Sequence, residues 1–142
     1  MPGPIDLQIL TPTETVEHAQ VSEVYVPAIQ GLAGVLVDHR PYVTELGPGE
    51  VSYKEVTGVT RFLFVSGGFL ENRDNHVTIL ADQVIRSDAL DQVSLERELA
   101  ESLERTRLGG GQGLDAAGWA AECENQRTLR LKLEILRRQQ AG

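Results

Sequence analysis

A change of period near residue 87 constrains this chain more than any other feature of its 142 residues. Ahead of it, apolar positions recur every second residue or in short β-branched runs. Ile5, Leu7 and Ile9 alternate with Asp6 and Gln8, the period of a half-buried strand. Thr11-Pro12 then breaks the run. Val21, Val24 and Val26 form a second β-rich stretch that Pro27 is expected to end, and Val35, Leu36 and Val37 a third. Tyr42-Val43-Thr44 and Val51-Ser52-Tyr53 flank Gly47-Pro48-Gly49, a strong turn signal. Arg61-Phe62-Leu63-Phe64-Val65 runs into Ser66-Gly67-Gly68, where a tight turn calls for positive φ. Phe69 to Glu71 and His76 to Leu80 flank Asn72-Arg73-Asp74-Asn75, which suits a hairpin loop. Many short strands with close turns predict a β-sandwich or barrel up to about residue 85.

Beyond residue 87 the pattern becomes helical. Ser87 and Asp88 are expected to cap a helix, with Asp91 near its positive end. Leu95, Leu99 and Leu103 follow on one face, with Glu98, Glu101 and Arg105 off it. Gly109-Gly110-Gly111-Gln112-Gly113 stops the helix near Arg107 and reads as a flexible link. A second helix is expected from about Asp115 to about Gln139. Leu129, Leu131, Leu133 and Ile135 alternate as in a strand, but helix formers surround them and Leu129, Leu133 and Leu136 fit a helical face. The expected architecture is α+β: an N-terminal antiparallel β-sandwich of about ten strands over residues 1–86, and an antiparallel two-helix hairpin over residues 87–142.

Composition narrows the function. The formal net charge is -8, so a nucleic-acid partner is not expected, because phosphate neutralisation needs clustered Lys and Arg. Past Glu124 the balance reverses, as Arg127, Arg130, Lys132, Arg137 and Arg138 accumulate, and a basic tail of this kind suits an acidic surface. The single cysteine, Cys123, permits no internal disulfide or cysteine-based metal site, and is expected to be a buried thiol in a reducing compartment. No leader-like segment and no bilayer-length apolar run is read in the chain, so a cytoplasmic location without direct lipid insertion is expected.

Reactive chemistry does not emerge. His18, His39 and His76 are far apart, without metal-ligand spacing. Ser66 lacks the Gly-x-Ser-x-Gly setting of an activated nucleophile. The stretch 109–113 lacks the Lys-Ser/Thr of a phosphate-binding loop. Trp119 is expected to pack the hairpin. No catalytic residue, cofactor or metal is assigned, and a chain of this kind is expected to work by contact.

Two stretches carry a family likeness: Val26-Pro27-Ala28-Ile29-Gln30-Gly31-Leu32-Ala33-Gly34-Val35-Leu36-Val37-Asp38-His39-Arg40-Pro41, followed by Leu46-Gly47-Pro48-Gly49, and Phe64-Val65-Ser66-Gly67-Gly68-Phe69-Leu70-Glu71, followed by Val77-Thr78-Ile79-Leu80-Ala81-Asp82. Together they resemble the epsilon subunit of bacterial F-type ATP synthase. The resemblance implies a ten-stranded sandwich, a two-helix C-terminal domain and no active site. It implies a place in the central rotor stalk, coupling proton translocation to ATP synthesis at the cytoplasmic face of the inner (plasma) membrane. The implied partners are the gamma subunit, the ring of c subunits and, when the hairpin extends, the catalytic alpha and beta subunits, whose ATP hydrolysis it would inhibit.

Carried over by position, Ile29, Gln30, Gly31 and Leu32 match the c-ring-facing loop, and Thr11, His39 and Pro41 match gamma-facing positions. Arg127, Arg130, Lys132, Arg137 and Arg138 would supply inhibitory contacts. The chain departs from the family where Gln30 replaces a common acid and Val37 a common proline. The ATP motif that some members carry is degenerate here: in Leu90-Asp91-Gln92-Val93-Ser94-Leu95, Ser94 stands where the motif has arginine and Leu95 where it has alanine. Loss of that guanidinium predicts no useful ATP affinity, although Arg127 matches one of the arginines of the second helix. The competing reading is a free-standing β-sandwich binding module that dimerises through its hairpin. It would need an aromatic-lined pocket, and the seven aromatics, three Phe, three Tyr and one Trp, are scattered.

Overall fold

The computed structural model describes residues 3–108 and 115–141; the expected glycine link at 109–113 lies outside them. The chain divides into two compact units, Met1–Ser87 and Asp88–Gly142.

The first unit contains nine strands: β1 (Ile5–Leu10), β2 (Thr15–Ala28), β3 (Gly31–Leu36), β4 (Tyr42–Leu46), β5 (Gly49–Glu55), β6 (Thr60–Val65), β7 (Gly68–Arg73), β8 (His76–Ala81) and β9 (Val84–Arg86). The 14-residue β2 organises them. Its first half pairs with β1, Ile5 opposite Val21. Its second half pairs with β3 on one edge and β5 on the other, and its last residue, Ala28, meets Leu46 of β4. One layer therefore runs β2–β1–β8–β7–β4, and the other β3–β2–β5–β6–β9. Counted once in each layer, β2 brings the nine strands to the expected ten. Within this mostly antiparallel body the β1–β8 ladder is parallel, Leu7 opposite Val77.

Pro27 does not end β2, contrary to the sequence expectation. It pairs with Leu32 near the strand end, where a missing N–H costs little, and its carbonyl accepts from Gly47 N at 2.8 Å. The inward positions of both layers, among them Ile5, Leu7, Ile9, Val24, Val51, Leu63, Leu70 and Ile79, form one buried cluster. Each such side chain contributes about 1.5–3 kcal/mol on burial. The turn at 66–68 has the predicted backbone: Gly67 and Gly68 lie at φ 118° and 145°. A Cβ on Gly68 would meet Leu80 O at 2.0 Å. Arg86 of β9 donates to Val16 O at 2.7 Å and pairs with Glu17 at 3.2 Å, tying the end of this unit to β2.

A 3-10 turn, Ser87–Ala89, spans the boundary, and the second unit holds α1 (Gln92–Leu108) and α2 (Ala116–Ala141). The cap of α1 is Asp91 rather than Ser87 or Asp88, because the turn ends before the α-helix begins. Asp115 caps α2, accepting from Gly118 N at 2.7 Å. The stretch 129–135 is helical, as expected. Leu95, Leu129 and Leu136 are buried together, flanked by Leu90, Leu99 and Leu133. The leucine face predicted for α1 stops short, since Leu103 is 41% exposed while Ser102 is fully buried. Toward the connection the helices meet through a polar seam. Ser102 Oγ donates to Glu122 Oε1 at 2.6 Å, and Arg105 Nη2 to the same oxygen at 2.8 Å. Gln126 Nε2 donates to Ser102 O and to Thr106 Oγ1. These bonds satisfy groups that would be costly to bury alone. Trp119 and Cys123 depart from expectation: the indole is 43% exposed and the thiol only half-buried.

Candidate functional site: the loop ends and outer face of the sandwich

The residues 29–32 form the tip of the β2–β3 hairpin. Gly31 sits at φ 129°, a conformation that favours glycine, and it turns the chain so sharply that its neighbours project. Ile29 is 59% exposed and Leu32 77% exposed. The tip is braced from beside it, where Ile29 N donates to Glu45 O at 3.0 Å. Two large apolar side chains held at a rigid, solvent-facing turn have nothing to gain locally from exposure, and such features mark contact surfaces.

His39 and Pro41 come together, since both lie in the segment joining β3 to β4. His39 Nδ1 lies 2.8 Å from Arg40 O, and its ring centroid is 5.6 Å from that of Tyr42. Thr11 is not with them. It follows Leu10, which stands opposite Leu80. Leu80 pairs with Phe69 and Phe69 with Glu45, so Thr11 lies at the end of the layer that carries the 29–32 tip. The segment 38–41 lies at the other end, beside the β7–β8 turn. Between the two ends, direct partners share the outer face. Phe69 and Leu80 form an exposed apolar pair there, with Val43 opposite Glu71 one step along the strands. Sequence inspection overlooked this strip. The alternation of Leu70 with Phe69, and of Ile79 with Leu80, held the signal: both faces of the hairpin are apolar, so one had to be turned outward.

On the helical unit, three of the basic residues of α2 pair with acids of the same helix. Arg127 pairs with Glu124 at 3.0 Å, and Arg137 and Arg138 both reach Glu134. Pairs of this exposed kind contribute at most a few tenths of a kcal/mol, about 0.3–0.5 each, so another carboxylate can replace either acid at small cost. Arg127 and Arg130 border a shallow groove along α2 with Cys123, Gln126, Leu131 and Glu134.

The degenerate ATP motif has a structural occupation. Ser94 Oγ donates to Asp91 Oδ2 at 2.6 Å. That bond, with the backbone N–H groups of Val93 and Ser94, holds the Asp91 carboxyl below the usual carboxylate range. Both residues are thus committed to capping α1. Glu122 is likewise pulled down, to about 2, by the hydrogen bonds from Arg105 and Ser102. Among the described residues no cluster of three or more His, Cys, Asp or Glu has the arrangement of a metal site. No helix among them is long and apolar enough to cross a membrane.

Comparison with known proteins agrees with this architecture. Residues 4–87 match the family model of the ATP synthase delta/epsilon chain, beta-sandwich domain. The chain is 37% identical over 137 residues to the ATP synthase epsilon chain of Herpetosiphon aurantiacus, covering 95% of this chain and 97% of that protein. It is 38% identical over 117 residues to the same-named protein of Solibacter usitatus, covering 82% and 86%. Its fold resembles a chain in the Euglena gracilis mitochondrial ATP synthase OSCP/F1/c-ring structure, with TM-score 0.72, 23% identity and coverage of 99% of this chain and 82% of that one. A chain in the central stalk/c-ring structure of Tetrahymena thermophila mitochondrial ATP synthase gives TM-score 0.61 at 18% identity, covering 95% and 98%. The sandwich match, spanning more than half the sequence, and the near full-length relatives place this chain in the delta/epsilon-chain family of ATP synthases.

Proposed function

We propose that this chain is a non-catalytic central-stalk subunit of an F-type ATP synthase, working at the cytoplasmic face of the inner (plasma) membrane as a peripheral component. Its sandwich couples the rotating c ring to the gamma subunit. The observation that carries this reading is the braced 29–32 tip, with Ile29 and Leu32 exposed. It suits close approach to ring loops, and Gln30 makes that contact less charged than the acid common in the family. Gamma docks along the outer surface of the β1–β8–β7–β4 layer. That surface extends from Thr11 to His39 and Pro41 and includes the apolar strip at Phe69, Leu80 and Val43.

The helical unit regulates. Its closed form is held by few apolar side chains and a polar seam, so opening costs little buried area. When extended, Arg127, Arg130, Lys132, Arg137 and Arg138 meet acidic surfaces of the catalytic alpha and beta subunits and slow ATP hydrolysis. The test of the docking reading is cross-linking in the assembled enzyme. With Cys123→Ser as background, Gln30→Cys joins a c subunit and Val43→Cys, on the exposed face, joins gamma with a short thiol-to-amine bifunctional reagent. Products with neither subunit at either position contradict the reading.

A further inference from the structure

The segment 38–41 is clasped from one hairpin at two points. In the β7–β8 turn, Asn75 exchanges two hydrogen bonds with Asp38. Asp38 N donates to Asn75 Oδ1 at 2.7 Å, and Asn75 Nδ2 donates to Asp38 Oδ1 at 3.0 Å. Asn75 is itself fixed, because its carbonyl accepts from Asp6 N at 2.8 Å. On β7, Asn72 is 2% exposed, and its single Nδ2 donates to His39 O at 3.1 Å and to Arg40 O at 3.0 Å. Three consecutive residues are thereby tied to one neighbouring element. Pro41 adds a further restraint, since proline biases the residue before it toward extended backbone.

Asn72 is costly where it stands. Its Oδ1 is buried with no hydrogen-bond partner among the described residues, and a buried unsatisfied acceptor is destabilising. An apolar side chain at this inward position would avoid that penalty. What the amide secures in return is the shape of 38–41. A segment ordered before contact loses less conformational freedom on binding. The residue at its crest, Arg40, is exposed and makes no ion pair among the described residues. A free guanidinium with planar donors on a fixed backbone fits a carboxylate bidentately.

We propose that Asn72 and Asn75 are positioning residues that hold 38–41 ready for binding, and that Arg40 is the cation this segment offers to a carboxylate of the docked gamma subunit. The proposal rests on the docking reading given above. A protein carboxylate is the favoured partner, because a chain of net charge -8 is repelled by polyanions such as nucleic acid or an anionic lipid surface.

Titration calorimetry of the full-length chain against the gamma subunit, at low and high salt, tests it. Arg40→Ala is expected to weaken binding about tenfold at low salt, with a smaller loss at high salt. Asn75→Gly keeps the left-handed turn (φ 60°) accessible while deleting both side-chain bonds, and is expected to weaken binding about threefold to tenfold. The double variant is expected to bind no more than about twofold worse than Arg40→Ala alone, because Asn75 acts through Arg40. Asn72→Leu is expected to follow Asn75→Gly, and if it fails to fold, Asn75→Gly decides. Wild-type affinity in Arg40→Ala and Asn75→Gly overturns the proposal, and multiplicative losses in the double variant overturn the positioning role. A wild-type chain that does not bind gamma removes the docking reading itself, and this proposal with it.

Discussion

Leu129→Ala separates the two units of the chain. Leu129 is 2% exposed and lies with Leu95 and Leu136 in the small cluster that joins α1 to α2. Truncation of a buried leucine costs about 2–5 kcal/mol, and a site that can relax falls near 2–3. Among the described residues the cluster has three buried leucines, and isolated helices of 17 and 26 residues depend on such packing. A loss of that size therefore removes most of the hairpin's net stability. The sandwich, with its own core of sixteen buried side chains, is not touched. Two intrinsic reporters distinguish the units. Trp119, the only tryptophan, lies on α2, while Tyr25, Tyr42 and Tyr53 all lie in the sandwich. With a urea slope of about 1 kcal/mol/M for a small unit, the tryptophan-monitored midpoint should fall by about 2 M. The tyrosine-monitored midpoint should stay where it is. An unmoved tryptophan transition, or equal shifts in both, would refute the reasoning.

Four further outcomes are expected. Lowering the pH from 4.5 toward 2 should loosen the hairpin, because Glu122 is held at about 2 when folded and reverts to 4.5 when released. The sign follows from the depressed value: its contribution is present above the unfolded pKa and is lost as pH falls through the folded one. Glu122→Gln should flatten that part of the ellipticity profile at 222 nm. Gly68→Ala combines a positive φ with a Cβ 2.0 Å from Leu80 O, and should cost the sandwich about 3 kcal/mol or more in a urea titration. Asp115→Ala removes the cap of α2 and should cost about 1 kcal/mol by the tryptophan reporter. Calorimetry of the isolated chain with ATP should give no submillimolar binding, since Ser94 replaces the motif arginine and is spent on Asp91.

Much of this was legible in the sequence, for physical reasons. Period two in β1 and the Gly-Pro turns are local signals, and both survive folding. So does the switch to helix, because caps and leucine spacing act within a few residues. Asp91 was within reach but misassigned, since Ser87-Asp88 has equal capping chemistry and only the 3-10 turn decides between them. Spacing by four puts Leu103 on the buried face, whereas the structure exposes it and buries Ser102, because spacing predicts a stripe and not the partner across from it. The partner there is Glu122 and Gln126, and that pairing is long-range. The clasp at 38–41 is also long-range. Nothing near Asn72 in the sequence announces that its amide meets carbonyls more than thirty residues earlier. The separation of Thr11 from His39 likewise follows from the parallel β1–β8 ladder, which local periodicity cannot express.

The central claim is that this chain acts through its surfaces as a rotor subunit. Proton-driven ATP synthesis in vesicles tests it most directly, using the enzyme assembled without the chain and then supplied with it. The account predicts that synthesis is lost without the chain, returns on adding it back in one-to-one ratio, and that the chain alone hydrolyses no ATP. Full synthesis without it, or ATP turnover by the isolated chain, would contradict the account.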